Sequence, residues 1–128
     1  MSVVRETAAM ISGMNPDLRA GEFAFALWET GRPWPDGTFA SVAEEEGMSL
    51  IVPLSHAPDK ALPMRCITLR VNSALDGVGL TAAVSGALAR ADIPANMVAG
   101  LHHDHVFVPT EAADKALDIL RNLQESGA

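Results

Sequence analysis

A single cysteine, Cys66, stands in the 128 residues, which excludes an intrachain disulfide and any zinc site built on paired cysteines. Lysine is almost as scarce, with only Lys60 and Lys115, and the 9 Lys and Arg face 16 Asp and Glu for a net charge of −7. Nucleic-acid binding rests on cations that neutralise phosphates, so no such partner is expected. No apolar run approaches the roughly 20 residues of a membrane span, and residues 1–14 interrupt their apolar positions with Arg5, Glu6, Thr7 and Ser12. The expectation is a cytoplasmic protein without a membrane partner. What the chain does have is apolar bulk, 48% of its residues. A chain of this length buries about two thirds of its unfolded surface, enough for one core or two small modules sharing one.

Hydrophobic periodicity organises the second half. Over 64–72, Ile67, Leu69 and Val71 alternate with Cys66, Thr68 and Arg70, which predicts a strand with one well-buried face. Leu80, Ala83, Val84, Ala87, Leu88 and Ala91 recur at steps of three and four, a helical stripe that Asp92 and Pro94 stop. Short strands are predicted over 96–101 and 105–108 as a hairpin through His102, His103 and Asp104. Thr110 is expected to cap a last helix with Ala113, Ala116, Leu117, Leu120 and Leu123 on one face.

Upstream the order is fainter. A short helix over 6–13 leads through a turn at Asn15-Pro16-Asp17 to a strand over 22–28, where Phe23, Phe25 and Leu27 share a face, and a further strand covers 48–54. Between them, Ser41 and Glu44 have the spacing of a capping box, with Gly47 able to end that turn. Ile51-Val52-Pro53 followed by Asp59-Lys60-Ala61-Leu62 matches Phe107-Val108-Pro109 followed by Asp114-Lys115-Ala116-Leu117. The match reads as an internal repeat of strand, proline and helix. A chance likeness of two such units is the alternative.

Chemistry concentrates at the strand-to-helix junction Asn72-Ser73-Ala74-Leu75-Asp76-Gly77-Val78-Gly79-Leu80. Two glycines there permit a tight turn and expose N–H groups at a helix start, a setting that attracts an anion. A carboxylate fits as well as a phosphate, and Asp76, Asn72 and Asn96 could receive the ammonium of the same small zwitterion, for which an α-amino acid is the simplest identity. The bland alternative has Ser73 capping the helix with Asp76 three residues on, and no ligand. Gly77 to Ala82 also satisfies a relaxed dinucleotide pattern, but too few residues follow to build parallel β-α-β units.

His102, His103, Asp104 and His105 form the densest polar cluster. His103 and His105 would share a face of an extended segment, and the cluster would form a hydrogen-bonded hairpin rim, a pocket wall or, with further ligands, a metal site. Cys66, placed mid-strand, reads as an inert small hydrophobe. No nucleophile with a base shows a catalytic pattern. No catalytic residue, resident metal or cofactor is therefore assigned, and a metal-binding protein or metal-dependent enzyme using the His102 to His105 cluster is the alternative to a binding protein.

Three segments carry a family resemblance: Glu45 to Val52, Ile67 to Val84 and His103 to Pro109. With their connections they span most of the chain, and they resemble the ACT-domain superfamily, small β-α-β-β-α-β modules that bind amino acids and related metabolites. The likeness is greatest to stand-alone tandem ACT proteins of a subfamily formerly of unknown function. The resemblance implies an α+β fold of two tandem ferredoxin-like modules, with antiparallel sheets and helices on one face. Residues 1–62 would form a degenerate first module with an inserted loop, and 63–128 the second. No strand precedes the opening helix, which leaves the strand over 64–72 open to serve both halves. The resemblance further implies a regulatory sensor that binds a small molecule, most simply an amino acid, as a homodimer. Its site would comprise Asn72, Ser73, Leu75, Asp76, Gly77, Val78, Gly79, Leu80 and Asn96, with His103, Asp104 and His105 as a further wall.

Overall fold

The computed structural model describes residues 2–127. Residues 2–20 and 65–127 form one compact unit and residues 21–64 another. The spatial units therefore interleave along the chain.

The first unit contains helix α1 (Thr7–Ser12) and strand β1 (Pro16–Leu18) from the start of the chain. The chain crosses the second unit through β2 (Phe23–Trp28), β3 (Ala40–Glu44) and β4 (Gly47–Pro53). It returns with β5 (Met64–Leu69), α2 (Leu80–Arg90), β6 (Asn96–Ala99), β7 (Asp104–Pro109) and α3 (Ala113–Ser126). The fold is α+β.

In the first unit the strands lie in the order β1-β5-β7-β6. Pro16 pairs with Leu69, and Leu18 with Ile67, in antiparallel register. Helices cover one face of this sheet: Ile67, Leu69, Val106 and Val108 pack with Met10 and Ile11 of α1, Val84 and Leu88 of α2, and Ala116 and Leu120 of α3. The helical stripe of α3 at steps of three and four is what makes this face dry. Asp92 ends α2 as expected, in the left-handed region at φ 60°, a conformation that Asp tolerates better than most side chains. The Ile93 N–H returns to the Leu88 carbonyl at 3.0 Å.

Four sequence expectations change. Residues 15–17 are not only a turn, because Pro16–Leu18 is a strand. Its missing N–H is tolerated at a sheet edge, the position of β1 in this unit. Strand β5 is buried on both faces, Cys66 and Thr68 as fully as Ile67 and Leu69. A buried hydroxyl needs partners, and that of Thr68 has three, Arg19 Nη1 at 3.2 Å, His105 Nδ1 at 2.9 Å and Cys66 Sγ at 3.9 Å. Thr110 opens a single 3-10 turn over Thr110–Ala112, and the cap position of α3 is Ala112, without a side-chain bond. The fourth change falls in the second unit.

There, the strands run in the order β3-β4-β2. The Ser41–Glu44 spacing makes no helix cap, because these residues pair with β4 as a strand, Glu44 opposite Gly47. Glu45 and Glu46 form the two-residue tip, Gly47 takes φ +138°, and the Ser49 hydroxyl reaches the Glu44 carboxylate. Cross-strand pairing thus won over a local capping signal. Phe23, Phe25 and Leu27 do share a face, but it is the more exposed one; Ala24, Ala26 and Trp28 are buried, with Leu50 and Val52. Arg32 lies 4.0 Å over the Trp28 ring, a cation–π contact.

The repeat is visible in the backbone. Pro53 and Pro109 have φ and ψ of −54°, 139° and −54°, 141°, and each opens a 3-10 turn. Only the second copy goes on into an α-helix. In the first, Asp59 to Leu62 lies between Pro58 and Pro63, too short a space for helix nucleation.

Candidate ligand-binding site

The site region lies wholly in the first unit, where three segments meet: the start of the chain, the turn between β5 and α2, and the β6–β7 hairpin. Val4 clamps the turn in a parallel bridge with Ser73. Its N–H donates to the Asn72 carbonyl at 2.8 Å, and its carbonyl accepts from the Ala74 N–H at 2.9 Å. Arg5 Nε donates to Asp76 Oδ1 at 3.1 Å, and the Thr7 hydroxyl donates to the Val78 carbonyl.

Gly79 occupies the cap position of α2 with φ 109° and ψ −19°, and no side chain caps the helix. The bland expectation of a Ser73–Asp76 cap does not hold, because Ser73 donates toward Asp104 at 3.4 Å and Asp76 pairs with Arg5. A Cβ at Gly79 would lie 2.6 Å from Thr7 Cγ2, so this close approach requires glycine. The first intrahelical bond runs from the Ala83 N–H to the Gly79 carbonyl at 2.9 Å. The N–H groups of Leu80, Thr81 and Ala82 are therefore outside the helix's own ladder, at the positive end of its dipole. The Gly77 amide is occupied by the Ala74 carbonyl at 3.0 Å.

A cavity of about 130 Å³ adjoins this helix start, its wall including Met10, Ser73, Gly77, Leu80, Thr81 and Asp104. That is well above the roughly 10–15 Å³ needed for one water. Of the residues singled out in the sequence, Ser73, Leu75, Gly77, Gly79 and Leu80 line it. Asn72 and Asp76 line an adjoining recess, with Ser73 and Leu75 in both walls. Val78 and Asn96 line neither; Asn96 is exposed on β6 opposite Phe107.

The histidine cluster is divided. Asp104 faces the cavity, His102 the recess, and His103 Nδ1 lies 3.3 Å from the Val71 carbonyl. His105 Nδ1 lies 2.9 Å from the Thr68 hydroxyl. His103 immediately precedes β7 and His105 lies within it. Among the described residues, no three His, Cys, Asp or Glu side chains gather as a metal-holding group.

Burial pushes the Asp104 carboxyl above the usual carboxylate range, opposed by the Ser73 hydroxyl and His103. Burial likewise raises the Cys66 thiol, in keeping with an inert side chain. His105 is displaced downward, first by burial and then by Arg19, His103 and Arg70. The unfolded chain therefore takes up a proton at this residue before the folded protein does. Stability is expected to fall as pH drops below the ordinary histidine value of about 6.5 toward the lowered one. His105→Gln should flatten that part of a melting-temperature profile, whereas an unchanged slope would assign it to other groups.

Two sequence profiles of the ACT-domain family match the chain, over residues 3–68 and 62–122. The chain belongs to the ACT-domain family. Similar solved structures include a Vibrio cholerae protein of unknown function, described as a possible transport protein. It is 33% identical to this ACT protein, with 91% of this chain and 94% of that one covered and a TM-score of 0.76. An Agrobacterium tumefaciens protein is 19% identical over 85% of this chain and 87% of its own, with a TM-score of 0.69. The ligand-free regulatory subunit of aspartate kinase from Thermus thermophilus shares the fold at 14% identity, 87% and 97% coverage and a TM-score of 0.55. No protein with a curated description matches.

Family membership gives this ACT protein a ligand-binding regulatory role. No helix among its described residues is long and apolar enough to cross a membrane. Sequence reasoning missed Met10, Thr81 and Ala99 in the cavity wall. Met10 comes from α1, far away in sequence and marked by no local signal, whereas Thr81 follows directly from the helix start.

Proposed function

We propose that this ACT protein is a cytoplasmic amino-acid sensor that acts by binding and not by catalysis. The supporting observation is that one cavity is lined both by the uncapped start of α2 and by Asp104. The ligand's carboxylate takes the N–H groups of Leu80 and Thr81, where the helix dipole favours an anion. Its ammonium takes the Asp104 carboxylate beside the Ser73 hydroxyl. Asp104 thus replaces Asp76 in the ammonium role, because Asp76 is engaged with Arg5. The output is a population shift in a homodimer, no larger than the ligand's difference in affinity between the two packings.

Thermal shift against the twenty amino acids, with and without a chelator, tests this reading. At one hundred times its dissociation constant a ligand adds about 2.7 kcal/mol, which raises the midpoint by several degrees. A chelator should change nothing. A protein that responds to chelator and to no amino acid would favour the metal alternative and refute the sensor.

A further inference from the structure

Val3, Leu75 and Leu101 are each more than half exposed, and they come from three distant parts of the chain. All three line one recess that shares wall residues with the cavity, has a volume of about 410 Å³ and also includes His102. Apolar residues scattered singly on a surface are ordinary, but a convergent group marks a binding surface. Ser73, Ala74 and Leu75 belong to both walls. Each of the three segments that build the cavity also contributes to the recess: Met10 and Val3 from the start of the chain, Gly77 and Leu75 from the turn, Ala99 and Leu101 from the hairpin.

The two spaces differ in chemistry. The cavity offers helix N–H groups and a carboxylate. In the recess, Arg5 and Asp76 pair with each other at 3.1 Å and together add no net charge to the wall. We infer that the recess receives the ligand's side chain, and that the protein selects amino acids with branched aliphatic or aromatic side chains over small or charged ones. This rests on the amino-acid reading of the cavity and adds to it the class of ligand. Moving such a side chain out of water against Val3, Leu75 and Leu101 is favourable, whereas an ammonium or carboxylate there would give up hydration for a wall to which Arg5 and Asp76 contribute no net charge.

Calorimetric titration of the full chain with leucine, phenylalanine, glycine, aspartate and lysine tests the inference. Wild-type protein is expected to bind leucine or phenylalanine about tenfold or more tightly than glycine, with aspartate and lysine no better than glycine. Leu101→Ser changes an exposed side chain, so the fold should survive, as circular dichroism would verify, and the leucine-to-glycine ratio should shrink severalfold. Glycine, aspartate or lysine binding as tightly as leucine overturns the inference and leaves the amino-acid reading standing. A Leu101→Ser ratio equal to wild type overturns it too, and a simultaneous loss of dimer by sedimentation would identify a second copy as the occupant. Failure of all five to bind overturns the inference, and the amino-acid reading falls with it where none of the twenty raises the melting temperature.

Discussion

Replacing Asp104 with asparagine is expected to weaken amino-acid binding by about one to two orders of magnitude while making the empty protein more resistant to heat. The two effects have one cause. The carboxyl is half-buried beside the Ser73 hydroxyl, and burial raises its pKa. The folded protein holds that proton more tightly than the unfolded chain does. Stability from this group is therefore fully present below the ordinary aspartate value of about 3.9 and is lost as pH rises through the raised one. At neutral pH the ionised group is a cost to the fold, which an amide of the same shape removes. The ligand's ammonium offsets that cost, and a charge-assisted hydrogen bond of about 1.5–3 kcal/mol corresponds to one to two orders of magnitude in affinity. Titration calorimetry and melting curves on the same variant check both halves. In the wild type, affinity should fall as the solution is acidified through the raised pKa. Unchanged affinity in Asp104→Asn would remove this residue from the site.

The second large effect is on stability, from Gly79→Ala. At φ 109° an alanine is strained by about 1–3 kcal/mol before contacts are considered, and its Cβ would stand 2.6 Å from Thr7 Cγ2. The melting temperature should fall by about 5–15 °C. Thr7→Ser in the same chain keeps the hydroxyl bonded to the Val78 carbonyl and deletes the clashing methyl. It should recover part of the loss and leave the dihedral strain. A single Gly79→Ala variant as stable as the wild type would show that the left-handed cap of α2 is not required.

What could be read from the chain, and what could not, follows from the range of the interactions. The stripes of α2 and α3, and the pairing of β6 with β7, are written in residues three, four or a few positions apart, and they were legible. The turn from Asn72 to Leu80 announced itself through its glycines. Strand β1 was not legible, because Pro16 and Asp17 carry turn chemistry and their strand character comes only from Leu69 and Thr68 across the ladder. The same holds for β3, where the pairing of Ser41 with Leu50 displaced a local cap. At the site, Asp76 looked like the free carboxylate of the turn. Its neutralisation by Arg5, remote in sequence, left Asp104 as the acidic group facing the cavity.

The split of the first unit between residues 2–20 and 65–127 has a consequence for biosynthesis. On a translating ribosome, Met10, Ile11 and Met14 emerge well before the strands and helices that cover them. At about 5–20 residues per second, residues 2–20 wait for several seconds while 21–64 are added, and longer before α3 is complete. Throughout that interval Met10, Ile11 and Met14 lack the side chains that bury them in the folded protein. The last core of this unit therefore closes only when the two ends of the chain meet, a contact of high sequence separation that slows folding.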